Sequence, residues 1–380
     1  MILRKFDYFE FADEPNAWSL EGMILENINL IVGKNATGKT NTLNKIAWLG
    51  NMLAGMQPQL LNSGNYNVEF SDDNETYKYR LNISLQKVQF EELIINNKSK
   101  FKREKDGKGK IYSDKLDMDL DFQLSQNQLV VTSKRDAIQH PFLEELAKWA
   151  EGQRMYAFSK LGQDVIFIAN DMSNINVDPR DTNSVIGLYV KGEREFVQDF
   201  KKRIIDSMNE IGYELVDVGT TSNLGSLSPL PLMMGTNLTL YVKEKDSKAA
   251  ILQYQMSQGM FRALSLIIQI TYNTLKNLPT TILIDDIGEG LDFARSTSVI
   301  QLISRVADEG KCQLIMSTND RFVMNNVPLK YWQIIQRNGG QCKIFNYHNK
   351  KEGFDKFKYT GLNNFDFLAT DFINSEGVNE

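Results

Sequence analysis

An α/β fold is predicted by three observations. The apolar run Ile28 to Val32 leads straight into a glycine-containing loop, GKNATGKT at 33–40, and from Asn41 the pattern turns helical through Leu43, Ile46, Ala47 and Leu49. Near the other end, the apolar stretch Thr281 to Asp285 precedes a helical pattern from about Ala294 to Ala307. A further short apolar strand, Leu314 to Ser317, follows it. Strands that alternate with helices at both ends of a chain build an α/β core, so the middle is read as a mainly β and helical insertion. A chain of 380 residues can bury at least one full core and has the length of about two or three domains.

The elements follow in order. The opening segment alternates in strand fashion through Leu3, Phe6, Tyr8, Phe9 and Phe11. Residues 66–131 read as short strands with polar turns, among them Tyr77 to Leu85 and Val88 to Ile95, a meander of antiparallel sheet. A helix is expected near Pro141 to Ala150, and another over Glu193 to Ile211, where Phe196, Phe200, Ile204 and Met208 recur at four-residue spacing. Residues 215–235 hold glycines, serines and prolines between apolar positions and read as a loop or flap; Leu238 to Val242 and Ala249 to Tyr254 resume as strands. A long helix runs from Ser257 to about Leu275. Asn338-Gly339-Gly340 separates Trp332–Arg337 from Cys342–Tyr347 as a hairpin turn. No internal repeat is visible.

Composition removes several classes. A hydrophobic fraction of 42% with 24% charged residues is that of a globular chain, not a disordered or fibrous one. The 43 basic and 48 acidic residues leave a net charge of −5, so bulk electrostatics do not announce a nucleic-acid binder, although a local basic patch would suffice for one. No window approaches the roughly 18 uninterrupted apolar residues of a membrane span. The start MILRKFDYFEF has no apolar signal core, so the chain is expected in the cytoplasm without membrane partners. Cys312 and Cys342 are too few for a disulfide framework and are expected as free thiols; His140 and His348 are the only histidines, which weakens any His-dependent catalysis.

Three motifs carry chemistry. Residues 33–40 match G-x-x-x-x-G-K-[ST] between a strand and a helix. Gly33 and Gly38 let the backbone curl, so that the segment Lys34, Asn35, Ala36, Thr37 and the helix start at Lys39, Thr40 and Asn41 face phosphates. Lys39 would supply charge to the β- and γ-phosphates, and Thr40 a hydroxyl to Mg²⁺; a lysine-containing glycine turn is the plain alternative. The second motif is TTILIDDIGEGLD at 280–292, where Asp285 ends a buried strand and is placed to hold magnesium through water. Asp286 is then positioned to orient or deprotonate an attacking water. In the third, Ser257 and Gly259 open an apolar helix; the serine reads as an ordinary N-cap or as part of a helix N-terminus that binds the γ-phosphate of a nucleotide held by another subunit.

The order of these motifs, with Ser-x-Gly-x-x-Arg at 257–262, Gly-Leu-Asp at 290–292 and a strand ending Ser317-Thr318-Asn319, resembles the ABC-type ATPase head in the branch of SMC, RecF and OLD proteins. It is similar in particular to stand-alone OLD-like ATPases of bacterial anti-phage defence and toxin–antitoxin-like systems. The resemblance implies an α/β P-loop NTPase with ATP and Mg²⁺ as cofactors. Residues 1–65 and 250–350 would form a split ATPase core, 66–249 a mixed β/helical inserted lobe and 351–380 an aromatic tail. Carried over by position, Gly33, Lys39 and Thr40 become the phosphate and magnesium site, and Asp285 the Walker B acid. Ser257 and Gly259 close over the partner's ATP in a homodimer, and Gly290, Leu291 and Asp292 form the D-loop across its interface. A glutamine on magnesium is also implied; Gln86 and Gln89 are candidates, with an ordinary place in the sheet as the alternative.

Two departures bear on rate. Asp286 stands where the family has Glu, which withdraws the carboxylate by about 1.5 Å, one C–C bond. A misplacement near 1 Å can cost on the order of 10²-fold. Asn319 stands where the family has a switch histidine; it can donate a hydrogen bond toward the γ-phosphate but cannot carry the imidazole's proton. Glu289 is an alternative base, set against a surface role in the turn. The expectation is a slowly hydrolysing, nucleotide-gated dimeric switch that controls a separate effector, a nuclease or toxin, in anti-phage defence. The alternative is a RecF/SMC-like DNA-binding repair ATPase, and a third possibility is a scaffold that never hydrolyses ATP.

Segment content narrows the type. Residues 41–256 carry no sustained heptad repeat, so long coiled-coil arms are not expected, and the stretch after Asn319 is expected to hold no nuclease domain. The basic stretch 98–110 is either a phosphate-backbone footprint or a solvated hairpin beside the acidic 114–121. The tail aromatics Phe354, Phe357, Tyr359, Phe365, Phe367 and Phe372 either cover the core or dock a partner. Phe9, Phe11 and Trp18 either stack on adenine or belong to the core.

Overall fold

The computed structural model describes all residues except 73, 161, 164–166, 170–176, 179, 223–235, 279, 311 and 376–380. Most of the expected flap at 215–235 therefore lies outside the described residues. The chain divides into two compact units, one of Met1–Gln153, Pro279–Leu283 and Cys312–Glu380, the other of Arg154–Leu278 and Ile284–Lys311.

The first unit is built on one long sheet. Its strands lie in the order Thr280–Asp285, Cys312–Ser317, Ile28–Val32, Trp332–Asn338, Gln341–Asn346, Trp18–Ile24, Ile2–Glu10, Ser63–Asp72, Glu75–Ser84, Lys87–Ile95, Lys98–Arg103, Lys108–Ser113 and Met118–Gln123. Ile28–Val32 is buried at every position, as a strand covered on both faces must be. It pairs in parallel with Cys312–Ser317 on one side and Trp332–Asn338 on the other. The remaining strands, from Ser63 on, form the expected antiparallel meander. Their inner face is aromatic and aliphatic through Tyr66, Val68, Phe70, Tyr79, Leu81 and Phe101.

On the other face, charges stand opposite one another across five strands: Arg80 faces Glu92, Glu92 faces Lys102, Lys102 faces Lys110 and Lys110 faces Asp121. Opposite charges directly across a ladder stabilise it, and the like-charged Lys102 and Lys110 are each flanked by an acid, Glu92 and Asp121, on the next strand. The tail folds as short helices, Lys351–Phe357, Asn364–Ala369 and Phe372–Ser375. Phe354, Phe357 and Phe367 are buried, and Asn364 donates to the Val327 carbonyl; these aromatics cover the unit, while Tyr359 stands exposed.

The second unit packs the helices Val185–Glu210, Gln258–Leu275 and Phe293–Asp308 with a small antiparallel sheet of Leu215–Thr221, Thr236–Glu244 and Ile251–Leu252. Phe200, Ile204 and Met208 are buried, as the four-residue spacing requires. The helix begins at Val185 rather than near Glu193, because Val185 to Val190 form a continuous apolar segment whose residues are all buried and so show no amphipathic period. Val197 breaks it with a φ of 49°. The expected strand Ala249 to Tyr254 shrinks to Ile251–Leu252, since Gln253–Gln255 tightens into a 3₁₀ turn closed by Gln255 on the Leu252 amide. Leu85 leaves the strand for the turn, with φ 52°. Both cysteines are free thiols. Among the described residues no helix is long and apolar enough to cross a membrane.

Candidate nucleotide-binding site

In the first unit the loop 33–40 leaves the buried strand Ile28–Val32 and enters the helix Lys39–Leu53. Its shape has local causes. A Cβ at Gly33 would stand 2.7 Å from both Cγ2 and the carbonyl oxygen of Ile335, so only glycine lets the loop start against the neighbouring strand. Gly38 caps the helix at φ 106°, open to glycine and costly for any other residue. Ala36 has φ 62°, a left-handed conformation that disfavours a Cβ by roughly 1–2 kcal/mol.

The carbonyls of this loop are tied down. Thr37 Oγ1 donates to the Lys34 carbonyl at 2.9 Å, Arg337 Nη1 to Ala36 at 3.1 Å, and Cys342 Sγ to Thr37 at 3.3 Å. With its carbonyls so engaged, the loop can turn its N–H groups and the positive helix end toward an anion. Lys39 is 6% exposed, and its ammonium donates to the carbonyls of Gly33 at 2.9 Å and Lys34 at 3.1 Å. Thr40 is exposed on the first helical turn, beside Asn41, while Lys34 and Asn35 are exposed at the crown.

Asn319 belongs to the same edge. Ser317 stands level with Ile31 in the parallel ladder, so the two strands run out together and Asn319 emerges, exposed, beside the start of the loop. Its turn is fixed by Thr318 Oγ1, which accepts from the Asp320 amide at 3.1 Å, and by Asp320, which caps the next helix by accepting from Phe322.

Behind the loop helix sits a buried cation. Lys45 pairs with Glu10 at 2.7 Å and lies 4.3 Å from the Trp48 ring centre, 5.0 Å from Tyr8 and 5.8 Å from Trp18. Burial pulls its ammonium below the ordinary lysine value, and the Glu10 hydrogen bond works against that. Trp18 is thereby committed to the core and to contact with Gly38. Phe9 is half exposed on the sheet and lines an open cavity of about 570 Å³ with Lys5, Tyr8, Asn65, Asn67 and Phe90.

Gln86 and Gln89 do not belong to this site. Both sit in the turn and first residues between two meander strands, where Gln86 donates to Asn62 and Gln89 to the Ser84 and Lys87 carbonyls. The proposed nucleic-acid footprint is also reduced: Arg103 is fully buried, donates to the carbonyls of Gln128 and Ser125, and lies 3.8 Å from the buried Glu91. Lys100 is bound to Asp114 and covers the rings of Tyr112 and Phe142.

The second unit holds the other motif residues. Asp285 ends its strand 3% exposed, and Asp286 follows in the left-handed region at φ 55°, which short polar side chains tolerate best. Ser257 caps its helix, accepting from the Met260 amide at 3.2 Å. A Cβ on Gly259 would overlap the Gly290 carbonyl oxygen and stand 2.9 Å from Leu291 Cδ2. Arg262, buried on the next turn, donates to the Glu289 carbonyl at 3.0 Å. Glu289 itself is exposed.

Asp292 caps its own helix through the Arg295 amide at 2.9 Å and pairs with the Arg295 guanidinium, and those donors hold its carboxyl below the usual range. The Arg295 guanidinium also lies 4.3 Å from the ring centre of Tyr213. Tyr213, Arg295 and Asp292 thus form one connected group. Tyr213, Arg295, Arg337 and Cys342 carried no motif signal; their partners lie far off in sequence, and only the tertiary fold makes them neighbours.

The sequence model of a family described as "AAA domain, putative AbiEii toxin, Type IV TA system" matches residues 28–325. No curated protein matches the chain. Among solved structures, an Smc head bound to the C-terminal winged-helix domain of ScpA is similar with TM-score 0.53 and 13% identity, over 91% of this chain and 97% of that one. An Smc head domain with an extended coiled coil bound to the C-terminal domain of ScpA, derived from Pyrococcus furiosus, is similar with TM-score 0.50 and 12% identity, over 94% and 99% of the two chains. At such identities the likeness concerns the fold, which is that of an SMC-type P-loop NTPase head.

Proposed function

Because the chain belongs to the AAA-domain family named for the AbiEii toxin of type IV toxin–antitoxin systems, we propose that this SMC-head-type ATPase binds MgATP at 33–41 and hydrolyses it slowly. It would work as a nucleotide-gated homodimeric switch on a separate effector, a nuclease or toxin, in anti-phage defence. The observation that carries the proposal is the loop itself: a left-handed crown with tied carbonyls, closed over the buried Lys39 ammonium at the start of a helix.

In this mechanism Lys39 and the amides of the loop hold the β- and γ-phosphates, with Gly33 and Gly38 setting the curl. Thr40 and Asp285 would hold magnesium through the hydroxyl and carboxylate oxygens it prefers, and the ion would supply charge neutralisation at the phosphates. Asp286 orients the attacking water and takes its proton, while Asn319 donates toward the γ-phosphate. Ser257 and Gly259 of one subunit close over the nucleotide of the other, and Gly290, Leu291 and Asp292 meet the same interface. Slow turnover is supported by the short Asp286 side chain, and by its left-handed backbone, which a longer glutamate would fit less well. The ScpA domains bound to the related Smc heads are precedents for an effector docking on such a head.

The test is steady-state hydrolysis by the full chain together with its size in MgATP. Turnover is expected below about 10 s⁻¹, the enzyme median, and Asp286→Ala is expected to accumulate an ATP-bound dimer. Faster turnover would overturn the slow switch, and a chain that binds no nucleotide would overturn the assignment.

A further inference from the structure

Arg337 lies on the strand Trp332–Asn338, outside every motif. That strand runs parallel to Ile28–Val32 with Ile334 level with Val32, so its last residues travel beside the loop as it leaves the sheet. Ile335 closes against Gly33, and Arg337 reaches the crown, with Nη1 3.1 Å from the Ala36 carbonyl oxygen and Nε 2.7 Å from that of Gly339. Ala36 is the one non-glycine residue of 33–38 with a left-handed φ, 62°. A residue strained in this way persists only where its surroundings hold it. The carbonyl that Arg337 grips belongs to the strained peptide itself.

We propose that Arg337 is a positioning residue for the nucleotide site: from the neighbouring hairpin its guanidinium holds the Ala36 carbonyl and so keeps the crown in the shape that presents its amides to phosphate. This rests on 33–41 being the ATP loop. The turn Asn338-Gly339-Gly340 fixes the clamp in turn, because the Gly339 carbonyl holds Nε and a Cβ on Gly340 would overlap the Ala17 carbonyl oxygen. The strain and the clamp are therefore coupled. With glycine at position 36 the left-handed crown needs no restraint, and the dependence on Arg337 should fade.

The experiment is MgATP binding by calorimetry on the full chain, for wild type, Arg337→Met, Arg337→Lys, Ala36→Gly and the Ala36→Gly/Arg337→Met double variant. Arg337→Met is expected to weaken MgATP about ten-fold, and Arg337→Lys, which keeps a donor to one carbonyl, less than that. In the Ala36→Gly background the same Arg337→Met change is expected to cost less than about three-fold, and that coupling is what a general loss of packing would not produce. An equal penalty in both backgrounds, or Arg337→Met binding like wild type, overturns the inference while leaving the ATP loop standing. A wild-type chain that does not bind MgATP overturns both.

Discussion

Gly259 offers the sharpest test of how the second unit is built. An alanine there would drive its Cβ into the Gly290 carbonyl oxygen, with Leu291 Cδ2 at 2.9 Å and the Gly290 carbonyl carbon at 3.1 Å. Real Cβ atoms avoid separations under 3.0 Å, and most of these neighbours are backbone, so the turn at 288–292 must retreat by on the order of 1 Å. The Arg262 bond to the Glu289 carbonyl, 3.0 Å long, lies one residue away and would stretch beyond hydrogen-bonding range. Overpacking of this kind costs about 1–3 kcal/mol of stability. If Gly259 closes over nucleotide as proposed, a displacement of that size costs on the order of 10²-fold in rate. Gly259→Ala should therefore keep MgATP binding at the loop of the first unit while hydrolysis falls about a hundred-fold and melting drops modestly. Steady-state hydrolysis and a melting curve on the same preparation decide it. A variant that hydrolyses ATP and melts like wild type would show that the close approach is not needed and refute the reasoning.

Two further outcomes are expected. Burial pushes the Glu91 carboxyl from an ordinary 4.5 up to about 7, with the Val130 amide, Arg103 and Tyr79 pulling the other way. A folded-state value above the unfolded one means stability is full below pH 4.5 and is lost as pH rises through 7, by about 3 kcal/mol at about 1.4 kcal/mol per decade. Urea titrations should thus show wild type losing that much relative to Glu91→Gln between pH 4.5 and 8, and parallel curves would contradict it. Reversing Lys98, Lys102, Lys105 and Lys110 to Glu is expected to leave duplex affinity unchanged, because Lys102 and Lys110 already face Glu92 and Asp121 across the strands and Lys102 also pairs with Glu104. A steep, salt-dependent loss of DNA binding would restore the footprint.

Legibility in the sequence followed the range of the interactions. The loop 33–40, the Ser257 cap and the strand ending at Asp285 were readable because each is decided by a few consecutive residues. The meander and the closing hairpin were readable from alternation and an Asn-Gly turn. The helix start at Val185 was not, since a segment buried all round has no period to detect. Arg103 looked like a surface base until its strand register put it inside against Glu91. Arg337 was silent for a simpler reason: the carbonyl it holds is 301 positions away.

The cation behind the loop also supplies an optical handle. Trp18 and Trp48 both lie over the Lys45 ammonium, and Trp18 Cζ2 comes within 3.5 Å of where a Gly38 side chain would begin. Indole emission responds to nearby charge and to small changes of ring environment, so a rearrangement of the loop at Gly38 is expected to alter the emission of Trp18. Nucleotide entry can then be timed on the unlabelled protein by stopped-flow emission, with Trp18→Phe identifying the reporting ring.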